Sequence, residues 1–181
     1  DPSSAILNAQ KHAAQIYGTK HTYFLTNGST SGIIASVLAC TKPGDKILLH
    51  DDAHPSHTNA VRLAGAVPVY YQLETDDKFG VPLDVKPELI ENIIKKENIK
   101  ALIVTSPTYE GIVSDIKAIK KVCKHYGTYL IVDEAHGALY PFSENLPQSA
   151  VKDADFTVQS LHKTAGGLNP TALLHCNCGL D

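Results

Sequence analysis

Short apolar runs alternate with helical patterns along the 181 residues of this chain. Seven of the runs have the length and side-chain types of β-strands. Four of these are nearly continuous, as expected when helices cover both faces of a sheet. The predicted strands are residues 22–26, 46–50, 67–71, 101–105, 129–133, 156–159 and 171–175.

Helical patterns with clear ends lie between these strands. Residues 3–17 begin at a serine cap and stop at a glycine, and residues 87–97 open with a proline. Residues 115–126 begin at an aspartate and end at a glycine. Strands that alternate with helices favour right-handed crossovers and a mostly parallel sheet. One seven-stranded α/β domain therefore accounts for residues 1–181.

The composition argues against several classes of protein. Sixteen basic and nineteen acidic side chains give a net charge of −3, and Arg62 is the only arginine, so we expect no nucleic-acid partner. No apolar run approaches the roughly 20 residues of a membrane span, so we expect no membrane partner. Four scattered cysteines suit a reducing cytoplasm. The chain contains no methionine, even at position 1, and we expect it to be a piece of a longer protein.

Polar clusters follow five of the predicted strands. In a parallel sheet, ligands bind outside the carboxyl ends of the strands, so these clusters mark the place where chemistry is expected. The clusters are residues 28–31, His54, and residues 106–110, 133–136 and 160–163. Each is weak evidence alone, and their convergence on one sheet edge is the main indication of a site.

A segment rich in glycine and hydroxyl groups, residues 27–32, joins the first strand to an apolar helix over residues 33–39. Glycine permits a tight turn, and the hydroxyl and backbone N–H groups at a helix N-terminus favour an anion such as phosphate. Plain helix capping explains the same residues equally well. The segment is not a Walker A loop, since no Gly-Lys-Ser/Thr follows.

Residues 133–136 read Asp-Glu-Ala-His, which is also a sequence motif of helicases. An ATPase also needs a phosphate-binding loop of the Walker A type, and the sequence contains none. Asp133 ends a buried strand, where an unpaired charge is unfavourable. A protonated ring nitrogen of a cofactor would pair with it.

Two clusters offer side chains that bind metals. In the first, Pro55 stands at what reads as a first helical turn, which favours a helix cap around residues 52–53 over a set of ligands. In the second, two thiols do not complete a tetrahedral zinc site. We therefore expect no metal. The side chains concerned are Asp51, Asp52, His54, His57, Cys176 and Cys178.

Lys163 follows a strand and stands beside His162 in a loop of small residues. Most lysines are solvated surface residues. A lysine desolvated at a ligand-binding edge, however, can lose its proton and act as a Schiff-base nucleophile. Pyridoxal phosphate chemistry requires hydroxyl groups that bind a phosphate, a carboxylate that pairs with a ring nitrogen, a nearby imidazole and a lysine of this kind.

The sequence resembles the Orn/Lys/Arg decarboxylases, pyridoxal-phosphate enzymes of the aspartate aminotransferase fold (fold type I). The segments that carry the resemblance are residues 23–32, 105–111, 132–138 and 159–164. It covers nearly the whole chain as the large, cofactor-binding domain, and the carboxy-terminal small domain is expected to be absent. The resemblance implies a three-layer αβα sandwich around a seven-stranded, mostly parallel sheet with the last strand antiparallel.

The resemblance also implies roles for individual residues. Lys163 forms the Schiff base with pyridoxal 5′-phosphate, and Asp133 pairs with the pyridine nitrogen. His54 stacks on one face of the ring, where its polar edge can assist protonation of the substrate Cα after loss of CO₂, and Ala135 packs on the other face. The phosphate is held by Ser29, Thr30, Ser160 and His162.

The implied activity is decarboxylation of a small-molecule substrate, namely lysine, arginine or ornithine, by a cytoplasmic homodimer or higher homo-oligomer. Another fold-type-I reaction, such as transamination or side-chain cleavage, would retain Lys163 and Asp133. A truncated or degenerate cofactor domain without activity is a third hypothesis. Two segments depart from the family pattern: residues 54–56 read His-Pro-Ser in place of His-Lys-Ser, and residues 164–170 are richer in glycine and proline.

Overall fold

The structure, a computed structural model, describes residues 3–179 and contains all seven predicted strands. The strands are β1 (His21–Leu25), β2 (Lys46–His50), β3 (Val67–Tyr71), β4 (Ile99–Thr105), β5 (Tyr129–Asp133), β6 (Phe156–Ser160) and β7 (Ala172–Cys176). The α-helices are α1 (Ala5–Tyr17), α2 (Gly28–Cys40), α3 (Pro55–Leu63), α4 (Pro87–Ile94), α5 (Ile116–Tyr126) and the one-turn α6 (Leu161–Thr164). Short 3₁₀ helices at Tyr140–Phe142 and Ala150–Lys152 precede β6.

The seven strands form one sheet in the order β1-β7-β6-β5-β4-β2-β3. Strands β2 to β6 pair in parallel, whereas β7 is antiparallel to both of its neighbours, β1 and β6. This confirms the predicted mostly parallel sheet with an antiparallel last strand. The edge strands β1 and β3 are partly exposed, and β3 accommodates Pro68 because one side of an edge strand lacks a ladder partner.

Helices cover both faces of the sheet. On one face Ile33 of α2 packs with Ile47, and on the other Ile90 of α4 and Ile119 of α5 pack with Leu48. Ile47 and Leu48 are consecutive in β2 but lie on opposite faces, as the period-2 alternation of a strand requires. Both are buried, which explains why the sequence of this strand is continuously apolar. The predicted three-layer αβα sandwich is confirmed.

Most helix ends follow the signals in the sequence. The carboxylate of Asp115 accepts a hydrogen bond from the backbone N–H of Ala118 and caps α5. Gly18 and Gly127 end α1 and α5 in the left-handed conformation. The predicted serine cap of α1 is wrong, because the side chain of Ser4 makes no capping hydrogen bond.

Helix α2 begins at Gly28, well before the apolar segment 33–39 that predicted it. Gly32 allows this helix to approach the sheet closely, because a Cβ at this position would lie 2.8 Å from both Leu25 Cδ1 and Val158 Cγ1. The backbone N–H of Gly28 also donates a hydrogen bond of 2.8 Å to the carbonyl of Pro170. The first turn of α2 is therefore held against the carboxyl edge of the sheet.

No helix within residues 3–179 combines the length and the apolar character that a membrane crossing requires. The four cysteines, all within this range, are free thiols. Three of them are buried and pack as small apolar side chains, and Cys178 is half-buried.

The close approach of α2 to the sheet yields a stability test. We expect Gly32→Val to lower the free energy of unfolding by about 2–3 kcal/mol, because the added methyl groups overlap Leu25 and Val158. Urea denaturation of the purified protein measures this difference. The control is Ala35→Val on the exposed side of the same helix, which introduces a β-branched residue without a buried overlap. Equal losses in both variants would show that the packing argument is wrong.

Candidate active site

A cavity of about 350 Å³ lies at the carboxyl edge of the sheet. Its walls come from the ends of β2, β3, β4 and β5, from the segments that follow them, and from Lys163 after β6. Four of the predicted site residues line it together: His54, Asp133, Ala135 and Lys163. These positions are far apart in the sequence, and the sheet topology brings them to one place.

Asp133 is the last residue of β5 and is almost completely buried. Its Oδ2 accepts a hydrogen bond of 2.9 Å from Nε2 of His57, and its Oδ1 accepts one of 3.1 Å from the backbone N–H of Ala135. Burial alone would raise the pKa of Asp133, but the hydrogen bond and charge of His57 and the bond from Ala135 lower it below its ordinary value. The structure therefore favours the ionised carboxylate.

His57 is a functional candidate that sequence reasoning missed in this role. It lies in α3, is fully buried, and directs its imidazole to Asp133. In the sequence, His57 suggested only a metal ligand, although a buried carboxylate at Asp133 requires a hydrogen-bond donor. Within the described residues no cluster of three or more histidine, cysteine or acidic side chains could hold a metal ion.

His54 is the residue that caps α3, so the expected cap at residues 52–53 is wrong. Its Nδ1 accepts a hydrogen bond of 3.2 Å from the backbone N–H of Ser56 and lies 2.8 Å from the Ser56 hydroxyl. Pro55 occupies the first helical position, where a missing N–H has no cost. These contacts fix the imidazole of His54 at the wall of the cavity.

Lys163 lies in the one-turn helix α6, directly after β6, and its side chain reaches the cavity. Its Nζ is 3.1 Å from Nε2 of His136, a second imidazole in the cavity wall. Lys163 and Asp133 thus face the same space, from the ends of two paired strands.

The four predicted phosphate-binding residues do not line this cavity; they lie farther along the same edge of the sheet. Ser29 and Thr30 are in the first turn of α2. Ser160, which ends β6, and Leu25, which ends β1, are both in register with Ala172 of β7, so the two strand ends are near each other. The ring of His162 donates a hydrogen bond of 2.9 Å from Nδ1 to the carbonyl of Thr171.

A chain of buried hydrogen bonds crosses three strands and ends at Glu134, the residue that follows β5. Thr22 of β1 donates to Nδ1 of His175 in β7, and Nε2 of His175 donates to Oε1 of Gln159 in β6. Gln159 in turn donates 2.6 Å to Glu134. Burial lowers the pKa of His175 to about 3, so its imidazole is neutral, in agreement with its accepting at one nitrogen and donating at the other. No sequence motif indicated this network.

Glu134 ends the network and is fully buried beside Asp133. Burial raises the pKa of Glu134 to about 7, against three hydrogen bonds that favour the ionised form. The donors are the backbone N–H of Ala150, the hydroxyl of Ser149 and the side-chain amide of Gln159. The pKa values of the consecutive carboxyls Asp133 and Glu134 are therefore shifted in opposite directions, down for Asp133 and up for Glu134.

The sequence matches a known protein family. A family model described as "Orn/Lys/Arg decarboxylase, major domain" matches residues 1–180. The chain belongs to the Orn/Lys/Arg decarboxylase family. The resemblance inferred from four short segments is thereby confirmed.

Members of the family that resemble this chain are longer than it is. The uncharacterised protein YaaO of Bacillus subtilis (strain 168) is 40% identical over 178 residues, which cover 97% of this chain and 37% of YaaO. The arginine decarboxylase of the same organism is 34% identical over 181 residues, which cover 99% of this chain and 37% of that protein. Lysine decarboxylase A from Pseudomonas aeruginosa shares the fold, with a TM-score of 0.83 at 21% identity over 99% of this chain and 27% of that one. The chain thus spans about two fifths of the length of these two Bacillus subtilis relatives.

The raised pKa of Glu134 predicts a pH-dependent stability. Between its ordinary value of 4.5 and about 7, the folded protein retains a proton that the unfolded chain has released, so the free energy of unfolding falls as the pH rises through this window. The fall attributable to Glu134 is about 3 kcal/mol at most. We expect Glu134→Gln to abolish it in urea titrations from pH 4.5 to 8.

The control for this prediction is Glu144→Gln, which removes an exposed carboxyl of the neighbouring loop. We expect this variant to follow the wild-type pH dependence. If the free energy of unfolding depended on pH in the same way in wild type and in Glu134→Gln, the raised pKa of Glu134 would be refuted.

Proposed function

We propose that the protein containing this chain is a pyridoxal-phosphate-dependent decarboxylase of a basic amino acid, namely lysine, arginine or ornithine. The observation that carries the proposal is that Lys163 and Asp133, the amine and the carboxylate that the cofactor requires, line one cavity. The membership of the family and the 34% identity to a relative named arginine decarboxylase support the same activity.

The residues at this edge suit the proposed cofactor. The ionised carboxylate of Asp133, held by His57, is the partner that a protonated pyridine nitrogen needs in a buried position. Ser160 contributes a buried hydroxyl that has no hydrogen-bond partner among residues 3–179, and such a group is costly unless a ligand satisfies it. The first turn of α2 adds backbone N–H groups that favour a phosphate.

In the proposed site Lys163 bonds covalently to the cofactor, Asp133 holds the pyridine nitrogen, and His54 and Ala135 enclose the ring. Ser29, Thr30, Ser160 and His162 hold the phosphate. The bound cofactor supplies an electron sink for the pair released when a bond at the substrate Cα breaks. His54, fixed by its contacts with Ser56, is placed to hold a proton near Cα.

The charge of the cavity supports a cationic substrate. Asp52 and Glu110 both line it and are exposed, so their carboxylates are accessible to an entering molecule. Carboxylates at a binding site attract a substrate with an ammonium or guanidinium group. We further propose that the enzyme works in the cytoplasm as a homodimer or larger homo-oligomer, and its free thiols suit that compartment.

Covalent trapping tests the cofactor assignment. The full-length protein is incubated with pyridoxal 5′-phosphate, reduced with borohydride, digested and mapped by mass spectrometry. We expect the label on Lys163 and none at this position in Lys163→Ala, because the amine is then missing. Lys121→Ala, which removes an exposed lysine of α5, serves as the control and should retain the label. A label found only on other lysines would refute the assignment.

Release of CO₂ tests the reaction. We expect the full-length wild-type protein, loaded with cofactor, to release CO₂ from at least one of L-lysine, L-arginine and L-ornithine, and Lys163→Ala to release it only at the background rate. Analysis of the organic product separates decarboxylation, which yields the amine, from transamination, which yields the oxo acid. If none of the three amino acids releases CO₂, decarboxylation of basic amino acids is wrong.

A further inference from the structure

His136 contacts the amine on which the proposed reaction depends. Its Nε2 lies 3.1 Å from Nζ of Lys163, and both side chains line the cavity. An ammonium group can only donate hydrogen bonds, so the imidazole accepts through Nε2 and carries its single proton on Nδ1. The contact with Lys163 thus selects one tautomer of a neutral His136.

The surroundings of His136 favour this neutral, accepting form. Burial lowers the pKa of His136, and the positive charge of Lys163 lowers it further, against the opposing effect of the Asp133 carboxylate. The imidazole therefore retains a free lone pair at neutral pH, which is the condition for accepting a hydrogen bond from Lys163.

The backbone and a neighbouring ring hold His136 in place. It lies in a tight turn in which the N–H of Gly137 donates 2.9 Å to the carbonyl of Glu134. Glycine is required at position 137, because a Cβ there would stand 2.6 Å from Cγ of Glu134, whose carboxyl is itself anchored by three hydrogen bonds. The ring of Tyr109 packs against the imidazole edge-to-face at 5.8 Å.

Lys163 has much less support of its own. It is exposed, and it belongs to a helix of only four residues. A lysine has four rotatable side-chain bonds, so an exposed one samples many rotamers and would spend much of its time away from the cavity. The hydrogen bond to a fixed imidazole restricts that freedom.

We propose that His136 is a positioning residue for Lys163. It accepts a hydrogen bond from Nζ and thereby holds the amine inside the cavity, beside Asp133, before the cofactor arrives. This inference rests on the proposed function, in which Lys163 is the amine that bonds to the cofactor. It assigns to His136 a role that none of the predicted site residues fills.

The rate of covalent trapping at Lys163 tests the inference in cofactor-free, full-length protein. His136→Phe keeps a planar ring but removes the acceptor, and we expect borohydride-trapped label at Lys163 to accumulate about tenfold more slowly, the effect of one hydrogen bond to a charged group. His136→Gln supplies an amide oxygen and should restore the rate to within about threefold of wild type. His12→Phe, on the exposed surface of α1, is the matched control and should trap at the wild-type rate.

Imidazole ¹⁵N NMR of the cofactor-free protein gives a second readout that needs no variant at position 136. In wild type we expect the shifts of a neutral His136 with its proton on Nδ1. In Lys163→Met the donor is lost, and the tautomer should move towards the Nε2–H form that free histidine prefers. Identical shifts in both proteins would overturn the inference, even if His136→Phe failed to fold.

The outcomes separate this inference from the proposed function. If wild-type protein takes up no label at Lys163, the proposed function itself fails. If wild type is labelled at Lys163, but His136→Phe is folded and labelled at the same rate, only the positioning role of His136 fails.

Discussion

Parallel pairing of β5 with β6 is the constraint on which the candidate site depends. Asp133 lies opposite Val158 in this ladder, so both strands run towards the same edge. At that edge β5 leads into the turn that carries His136, and β6 leads into the short helix that carries Lys163. A shift of register between these two strands would separate the carboxylate from the amine, because each residue of shift moves one strand end by about 3.3 Å.

Two consecutive carboxyls show how strongly the surroundings determine the chemistry of a side chain. Asp133 and Glu134 are both buried, yet the pKa of Asp133 is lowered and that of Glu134 is raised. Asp133 accepts hydrogen bonds from the imidazole of His57 and the backbone N–H of Ala135, and these contacts lower its pKa against the effect of burial. Glu134 has only neutral donors, which compensate less, so its proton is retained to higher pH.

The cavity combines a buried, hydrogen-bonded wall with an exposed lysine, Lys163. The hydrogen bonds from Thr22 through His175 and Gln159 to Glu134 join β1, β7 and β6 to the residue that follows β5. Buried networks whose members are all paired are stiff, because any displacement leaves a polar group without a partner. Lys163, by contrast, is exposed and contacts this wall at His136, whose Nε2 lies 3.1 Å from its Nζ.

Sequence alone determined the layers, the strands and the order of the chemical groups along the chain. Continuous apolar strands and glycine or proline at helix ends are local signals. Each of them can be recognised from a few consecutive residues of the sequence. The four family segments lie at strand ends, so the sequence alone identified residues 133 and 163 as site candidates. Their roles in catalysis stay predictions.

Only the tertiary structure decided which polar groups are partners. His57 pairs with Asp133 across a large separation in sequence, His136 meets Lys163, and His54 rather than its predecessors caps α3. A hydrogen bond between side chains forms only when the distance between donor and acceptor is correct to within a few tenths of an ångström. This distance is set by elements that are remote from each other in the chain. No pattern of residue types along one strand or helix contains that information, whereas the hydrophobic periodicity of an element depends on its own residues and can be deduced from the sequence.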